Sequence, residues 1–176
     1  MGTANEGGEF ISVKMGLLTV SDTRSEETDT SGRLLAERLT AAGHRLAEKA
    51  ILPDNVYRIR ALVSRWIADP DVQAVIITGG TGLTERDHTP EAVAPLLDKL
   101  IPGFGELFRS LSHEEVGSST IQSRALGGLA NGTFVFCIPG STNACQLAWD
   151  GILGPQFDSR TKPCNFVQLF PRLRRE

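Results

Sequence analysis

The stretch that most constrains this chain is VQAVIIT, residues 72–78, which runs without a break into GGTGLTERDHTPE. A strand that is apolar at successive positions has no wet face, so it belongs in a sheet covered on both sides, the usual state of a parallel sheet. Two more runs have this character: VKMGLLTV at 13–20, which breaks at SDT, and TFVFCI at 133–138, which ends in PGSTNA. HRLAEKAIL, residues 44–52, reads as a further strand with imperfect alternation.

Helical patterns lie between these runs. Ser31 and Gly32 introduce one with Leu34, Leu35, Leu39 and Ala42 on one side, closed by Gly43. A second starts at Asp54 as N-cap and carries Val56, Ile59, Leu62, Val63, Trp66 and Ile67 as far as Asp69-Pro70. Thr89 as N-cap, with Pro90 at the first helical position and Glu91 beside it, predicts a third helix through Leu100. Ser141 is placed to cap a fourth, through Ala148, Trp149, Ile152 and Leu153. The segment PGFGELFRSLSHEEVG and the stretch STIQSRALGG receive no element. Alternating strands and helices predict an α/β fold with a mostly parallel sheet, and ligands in such folds sit beyond the carboxyl ends of the strands.

At 176 residues, with no internal repeat or low-complexity linker, one domain over 13–176 is expected, preceded by a disordered leader over 1–12. A net charge of −3 argues against a nucleic-acid binder that relies on a basic face, and the cluster of Arg172, Arg174 and Arg175 reads as a solvated tail. Cys137, Cys145 and Cys164 are odd in number and lack CxxC spacing, so buried, inert thiols in a reducing compartment are expected. No run reaches membrane-spanning length and the start lacks a signal-peptide pattern, which predicts a cytoplasmic protein with no membrane partner. Trp66 and Trp149 are read as core or subunit contacts. His44, His88 and His113 have no zinc spacing, and His88 is read as a surface residue.

Three polar loops follow predicted strands and therefore share one end of the sheet: Ser21-Asp22-Thr23, the loop from Gly79 to Asp87, and the loop from Pro139 to Asn143. GGTGLTERD is neither a P-loop nor GxGxxG. Its amides can cradle an anion, with hydroxyls from Thr78, Thr81 and Thr84, although a tight turn would need the same glycines. A lone carboxylate, Asp87, beside phosphate calls for a divalent cation such as Mg²⁺ between them; a structural carboxylate at a helix start is the alternative. Arg86 could offset phosphate charge or form a surface ion pair. Ser21 and Asp22 could bind substrate or shape a turn, Ser123 and Arg124 could touch ligand or form an ion pair, and Gly140 and Ser141 could meet an anion or cap a helix.

TVSDT, ITGGTGLTERDHTPE, STIQSRALGG, IPGSTNA and TKPCNF, taken together and in this order, resemble the molybdenum cofactor biosynthesis protein B family, which is related to the molybdopterin adenylyltransferases, over residues 13 to about 166. The resemblance implies a three-layer α/β/α sandwich assembled as a homotrimer or homohexamer, with possible contact to other enzymes of the pathway. It implies that ATP and molybdopterin are substrates, with Mg²⁺, giving adenylylated molybdopterin and pyrophosphate. By similarity, Asp87 is the essential acidic position and holds the metal, while Gly79, Gly80, Thr81 and Gly82 line the pterin-phosphate side. Ser21, Asp22, Thr78, Arg86, Ser123 and Arg124 are assigned to substrate, and Pro139, Gly140, Ser141 and Asn143 to the nucleotide. Two readings remain beside the enzyme: a non-catalytic molybdopterin carrier or scaffold of the same pathway, and a Mg²⁺-dependent nucleotide hydrolase.

Overall fold

A computed structural model describes residues 8–174. Six strands form one sheet in the order β2-β1-β3-β6-β5-β4: β1 (Lys14–Val20), β2 (Arg45–Leu52), β3 (Ala74–Thr78), β4 (Lys99–Leu100), β5 (Leu126–Ala130) and β6 (Thr133–Ile138). The four strands from β2 to β6 are mutually parallel, and β5 runs antiparallel to both β6 and β4.

The apolar runs alternate between two cores. Met15, Leu17, Ala74, Ile76, Phe134 and Phe136 face one layer, with Leu35 and Leu39 of α1 (Thr30–Ala41), Phe104 and Phe108 of α4 (Pro102–Val116), and Ala148 of α5 (Thr142–Ala148). Leu18, Val20, Val75, Ile77, Val135 and Cys137 face the other, under Ile59, Val63 and Trp66 of α2 (Val56–Ala68) and Val93 of α3 (Thr89–Val93). This is a three-layer α/β/α sandwich. Gly16 makes room for it: a Cβ there would lie 2.9 Å from the Trp66 ring.

Several boundaries differ from the sequence expectation. α1 begins at Thr30 and is capped by Asp29, whose carboxylate accepts from the Gly32 amide. Asn55, not Asp54, caps α2, accepting from the amides of Tyr57 and Arg58. The helix expected from Thr89 to Leu100 ends at Val93 and tightens into a 3₁₀ turn, Ala94–Leu96, because Pro95 has no N–H to continue it. Arg60 caps the exposed end by donating to the carbonyls of Glu91 and Ala92. Thr89 is not an N-cap; its hydroxyl donates to the Gly79 carbonyl.

The unassigned region 101–132 holds α4, the longest helix, and β5. Gly103 and Gly105 hid the helix, yet Gly105 is there for packing, since a Cβ would lie 2.6 Å from the Ala125 carbonyl oxygen. Trp66 and Trp149 are core residues and Cys137 and Cys145 are buried, but Cys164 is exposed. The expected leader falls outside the described residues over 1–7. Residues 8–12 lie against the body: Phe10 packs on His44, the Ile11 amide donates to Ser159 Oγ, and Ser12 Oγ donates to the Gly43 carbonyl. No helix among the described residues is long and apolar enough to cross a membrane.

Candidate functional site

β1 leads through α1 to β2 on one side, and β3 lies on the other side of β1, so the strand order reverses between β1 and β3. Such a switch point opens a crevice at the carboxyl ends of the strands. A cleft of about 470 Å³ occupies it, lined by residues of all three strand ends: Thr19 to Ser21, Thr78 to Gly82, and Pro139 with Gly140. Arg24, Asp87, Gln122 and Ser123 complete the wall.

The glycines serve the interlocking of the loops. Gly79 and Gly80 have φ of +97° and +66°, in the left-handed region that other residues rarely adopt. A Cβ on Gly79 would sit 2.2 Å from the Val20 carbonyl oxygen, and one on Gly80 would sit 2.3 Å from Thr89 Oγ1. The Gly79 amide donates to the Ile138 carbonyl at 3.0 Å, tying the β3 loop to the end of β6. Gly82 has a separate task, because a Cβ there would lie 2.6 Å from Asp87 Oδ2. It leaves the space that the Asp87 carboxylate fills.

Asp87 accepts from the Thr84 hydroxyl at 2.6 Å and the Thr84 amide at 2.9 Å. The Thr84 hydroxyl, above all, holds its carboxyl below the ordinary range, so it is ionised at neutral pH. Arg24 is the cation of the cleft wall; its Nη1 donates to the Thr28 carbonyl and the Thr30 hydroxyl, which fixes the guanidinium beside the loop after β1. Sequence reasoning missed Arg24. Its only signal was a cation two residues after Asp22, in a loop already placed at a strand end.

The structure divides the sequence-derived residues. Ser21, Thr78, Gly79, Gly80, Thr81, Gly82, Asp87, Ser123, Pro139 and Gly140 line the cleft together. Thr78 is fully buried beneath it, donating to the Pro139 carbonyl at 3.0 Å. Arg86 and Asp22 stand outside as a two-pronged ion pair, at 2.9 and 2.7 Å, joining the β1 and β3 loops. Arg86 lowers the Asp22 carboxyl accordingly. Ser21 Oγ accepts from the amides of Thr23 and Arg24 and shapes the turn.

Arg124 also lies outside the lining. Its guanidinium donates to the carbonyls of Thr81, Gly82 and Asp87 and pairs with Glu91, so it clamps the whole loop from the rear. Ser141 caps α5 by accepting from the Ala144 amide, and it borders, with Asn143, a neighbouring space of about 250 Å³. His88 is half-exposed, with Nδ1 3.3 Å from the buried Asp54, whose carboxyl burial pushes up.

A deeper pair supports the β1 loop. Asp29, fully buried, accepts from the Thr19 hydroxyl and the Gly32 amide and meets Lys49 at 3.0 Å. Burial works against its charge, but the Gly32, Lys49 and Thr19 contacts outweigh it and lower its pKa. Ser31 Oγ donates to the Gly140 carbonyl at 2.7 Å, so the start of α1 also holds the third loop.

Residues 16–159 match the sequence profile of the family described as "Probable molybdopterin binding domain". The molybdenum cofactor biosynthesis protein B of Escherichia coli strain K12 is 58% identical over 158 residues, covering 90% of this chain and 93% of its own. A crystal structure of a molybdenum cofactor biosynthesis protein B superposes with a TM-score of 0.80 at 46% identity, over 83% of this chain and 91% of that one. The tungsten cofactor synthesizing protein MoaB from Pyrococcus furiosus superposes with a TM-score of 0.75 at 36% identity, over 83% and 93%. With the fold, the switch-point cleft and these likenesses in agreement, the chain belongs to the molybdopterin-binding domain family of molybdenum cofactor biosynthesis.

Proposed function

We propose that this chain adenylylates molybdopterin with Mg-ATP. The observation that carries the reading is the ionised Asp87 carboxylate in the wall of the switch-point cleft, on a loop fixed by Thr84, Arg124 and the strand ends. In the reaction an oxygen of the terminal phosphate of molybdopterin attacks the α-phosphorus of ATP; the new P–O bond forms as the bond to the β-phosphate breaks, and pyrophosphate leaves with the electron pair. The attacking oxygen is already anionic, so no general base is required, and positioning with charge neutralisation carries the rate. Arg24 donates to the phosphate oxygens from one wall, while Ser21, Thr81 and Ser123 offer hydroxyls.

No three His, Cys, Asp or Glu side chains converge on a metal position among the described residues. One ionised carboxylate beside a polyphosphate does suit Mg²⁺, whose other ligands are phosphate oxygens and water. Asp87 would hold the ion, and bound Mg²⁺ would neutralise charge on the departing pyrophosphate. Pyrophosphate release from Mg-ATP with and without molybdopterin, in the wild type and Asp87→Asn, tests the reading. Release that depends on the pterin and falls about a hundredfold or more in the variant is expected. No release from a wild type that binds molybdopterin would overturn it.

That last outcome is the carrier reading, which one feature favours: Arg86 is committed to Asp22, so Arg24 is the one cation in the cleft lining. Assembly as a homotrimer or homohexamer belongs to the same proposal. It is supported by Leu100, Leu107 and Ile121, apolar side chains exposed on and beside α4. Sedimentation of the purified chain as a monomer would count against it.

A further inference from the structure

Lys49 of β2 stands where an apolar side chain is expected. It pairs in register with Leu17 of β1, which lies in the core beneath α1, and its own side chain is largely buried. Burial works against its charge, but Glu26 at 2.9 Å and Asp29 at 3.0 Å outweigh it and hold the ammonium above the ordinary lysine range, so it is charged at neutral pH. A buried ion pair of this kind brings little net stability over apolar side chains of the same volume. Stability alone therefore does not account for a lysine at this position.

Its two partners bracket one short segment of the β1–α1 loop. Asp29 is fixed from below by Thr19, which lines the cleft, and by the Gly32 amide; a Cβ on Gly32 would lie 2.5 Å from Thr19 Oγ1, so the glycine lets these groups close up. Glu26 is exposed, and its carboxylate bonds only Lys49 among the described residues. Between the two lies Thr28, whose carbonyl accepts from Arg24 Nη1 at 2.6 Å. Lys49 thus ties both ends of residues 26–29 to the edge strand, and the carbonyl that holds the cation of the cleft sits between the ties.

We infer that Lys49 is a positioning residue: by holding Glu26 and Asp29 it fixes the Thr28 carbonyl that aims Arg24 into the cleft, and so sets the affinity of the cleft for polyphosphate. The inference rests on the reading of Arg24 as the phosphate contact and not on adenylyl transfer itself. It makes β2, which lends no side chain to the lining, a working part of the site.

The test is calorimetric titration of the wild type, Lys49→Met, Lys49→Arg and Glu26→Ala with Mg-tripolyphosphate, at one ionic strength and below the melting temperature of every variant. Lys49→Met should weaken binding about tenfold, and Lys49→Arg, which keeps both ion pairs, by no more than about twofold. Glu26→Ala separates positioning from simple charge. Loss of an exposed carboxylate near an anion site strengthens anion binding through space, whereas loss of the tie to Lys49 weakens it, here by about threefold. Glu26 is exposed, so this variant keeps the fold and decides the matter even if Lys49→Met unfolds. Equal or tighter binding by Glu26→Ala, or equal losses in Lys49→Met and Lys49→Arg, would overturn the role of Lys49 and leave Arg24 and the cleft standing. No binding of tripolyphosphate by the wild type would overturn the phosphate reading of Arg24 and this inference with it.

Discussion

The two ends of the parallel sheet each carry a cleft, and the larger is at the end away from the Gly79–Asp87 loop. At the amino end, about 600 Å³ opens between Lys14, Arg45, Asp71, Gln73, Phe170 and Arg174. Its polar groups are largely spent on the scaffold: Lys14 lies 3.7 Å from Asp71, Gln73 accepts from the Lys14 amide, and Arg174 donates to the Val72 carbonyl. The carboxyl-end cleft is smaller, and its lining also bonds the scaffold, Arg24 through Thr28 and Thr30 and Asp87 through Thr84, but a further row behind the lining, Arg124, Thr89 and Ser31, holds its loops in place. Volume therefore does not identify the site. What does is a wall whose side chains are held by a second row of residues and still face the opening.

Breaking the cleft wall should have the largest effect. Gly82→Val places branched carbon where the Asp87 carboxylate lies 2.6 Å from even a Cβ, so the carboxylate must leave its position. Pterin-dependent pyrophosphate release should fall at least about a hundredfold, comparable with loss of a preorganised electrostatic contact. Near-native release with an unchanged fold by circular dichroism would remove Asp87 placement from the reading.

The row behind the wall is next. Asp29→Ala removes the α1 cap and leaves the largely buried Lys49 with the exposed Glu26 alone, which should cost about 3 kcal/mol in urea unfolding. The folded pKa of Asp29 lies below its unfolded value, so below pH 4 the unfolded chain binds the proton more readily. The stabilisation is thus complete above the ordinary carboxylate range and is lost as pH falls through the folded value. Wild type should lose more stability than Asp29→Ala on acidification from pH 6 to 3; parallel losses would show that Asp29 is not held ionised. Arg124→Gln, which frees three loop carbonyls without emptying the cleft, should raise the KM for substrate several-fold and lower thermal stability modestly. A variant with unchanged KM would show the loop to be held by Thr84 and the strand ends alone.

The same division explains what could be read from sequence. β1, β3 and β6 are apolar at successive positions because both faces are covered, so the strands, the parallel sheet and the loops at its carboxyl end were legible. The cap at Ser141 was legible because its bond is local, three residues away. Asp22 with Arg86 and Arg124 with Glu91 were not, since each pair joins residues more than thirty positions apart and either member fits a ligand role equally well. α4 escaped because Gly103 and Gly105 mimic a loop, and Gly105 is explained only by the Ala125 carbonyl that packs against it.

The smallest expected effect is the sharpest test of the comparison between the two ends. Arg45 lies on the rim of the larger, amino-end cleft, exposed, and is one of three cations there with Lys14 and Arg174. If that cleft served phosphate, losing this cation would weaken anion binding, whereas the exposed Arg45 side chain makes no hydrogen bond or ion pair among the described residues, so Arg45→Ala should change stability by no more than about 0.5 kcal/mol. Tripolyphosphate titration of Arg45→Ala and Arg24→Ala separates the two ends directly. Binding that survives the first substitution and is lost with the second places the anion at the switch point between β1 and β3, while the reverse pattern would move it to the opposite edge of the sheet and leave Asp87 without a phosphate to serve.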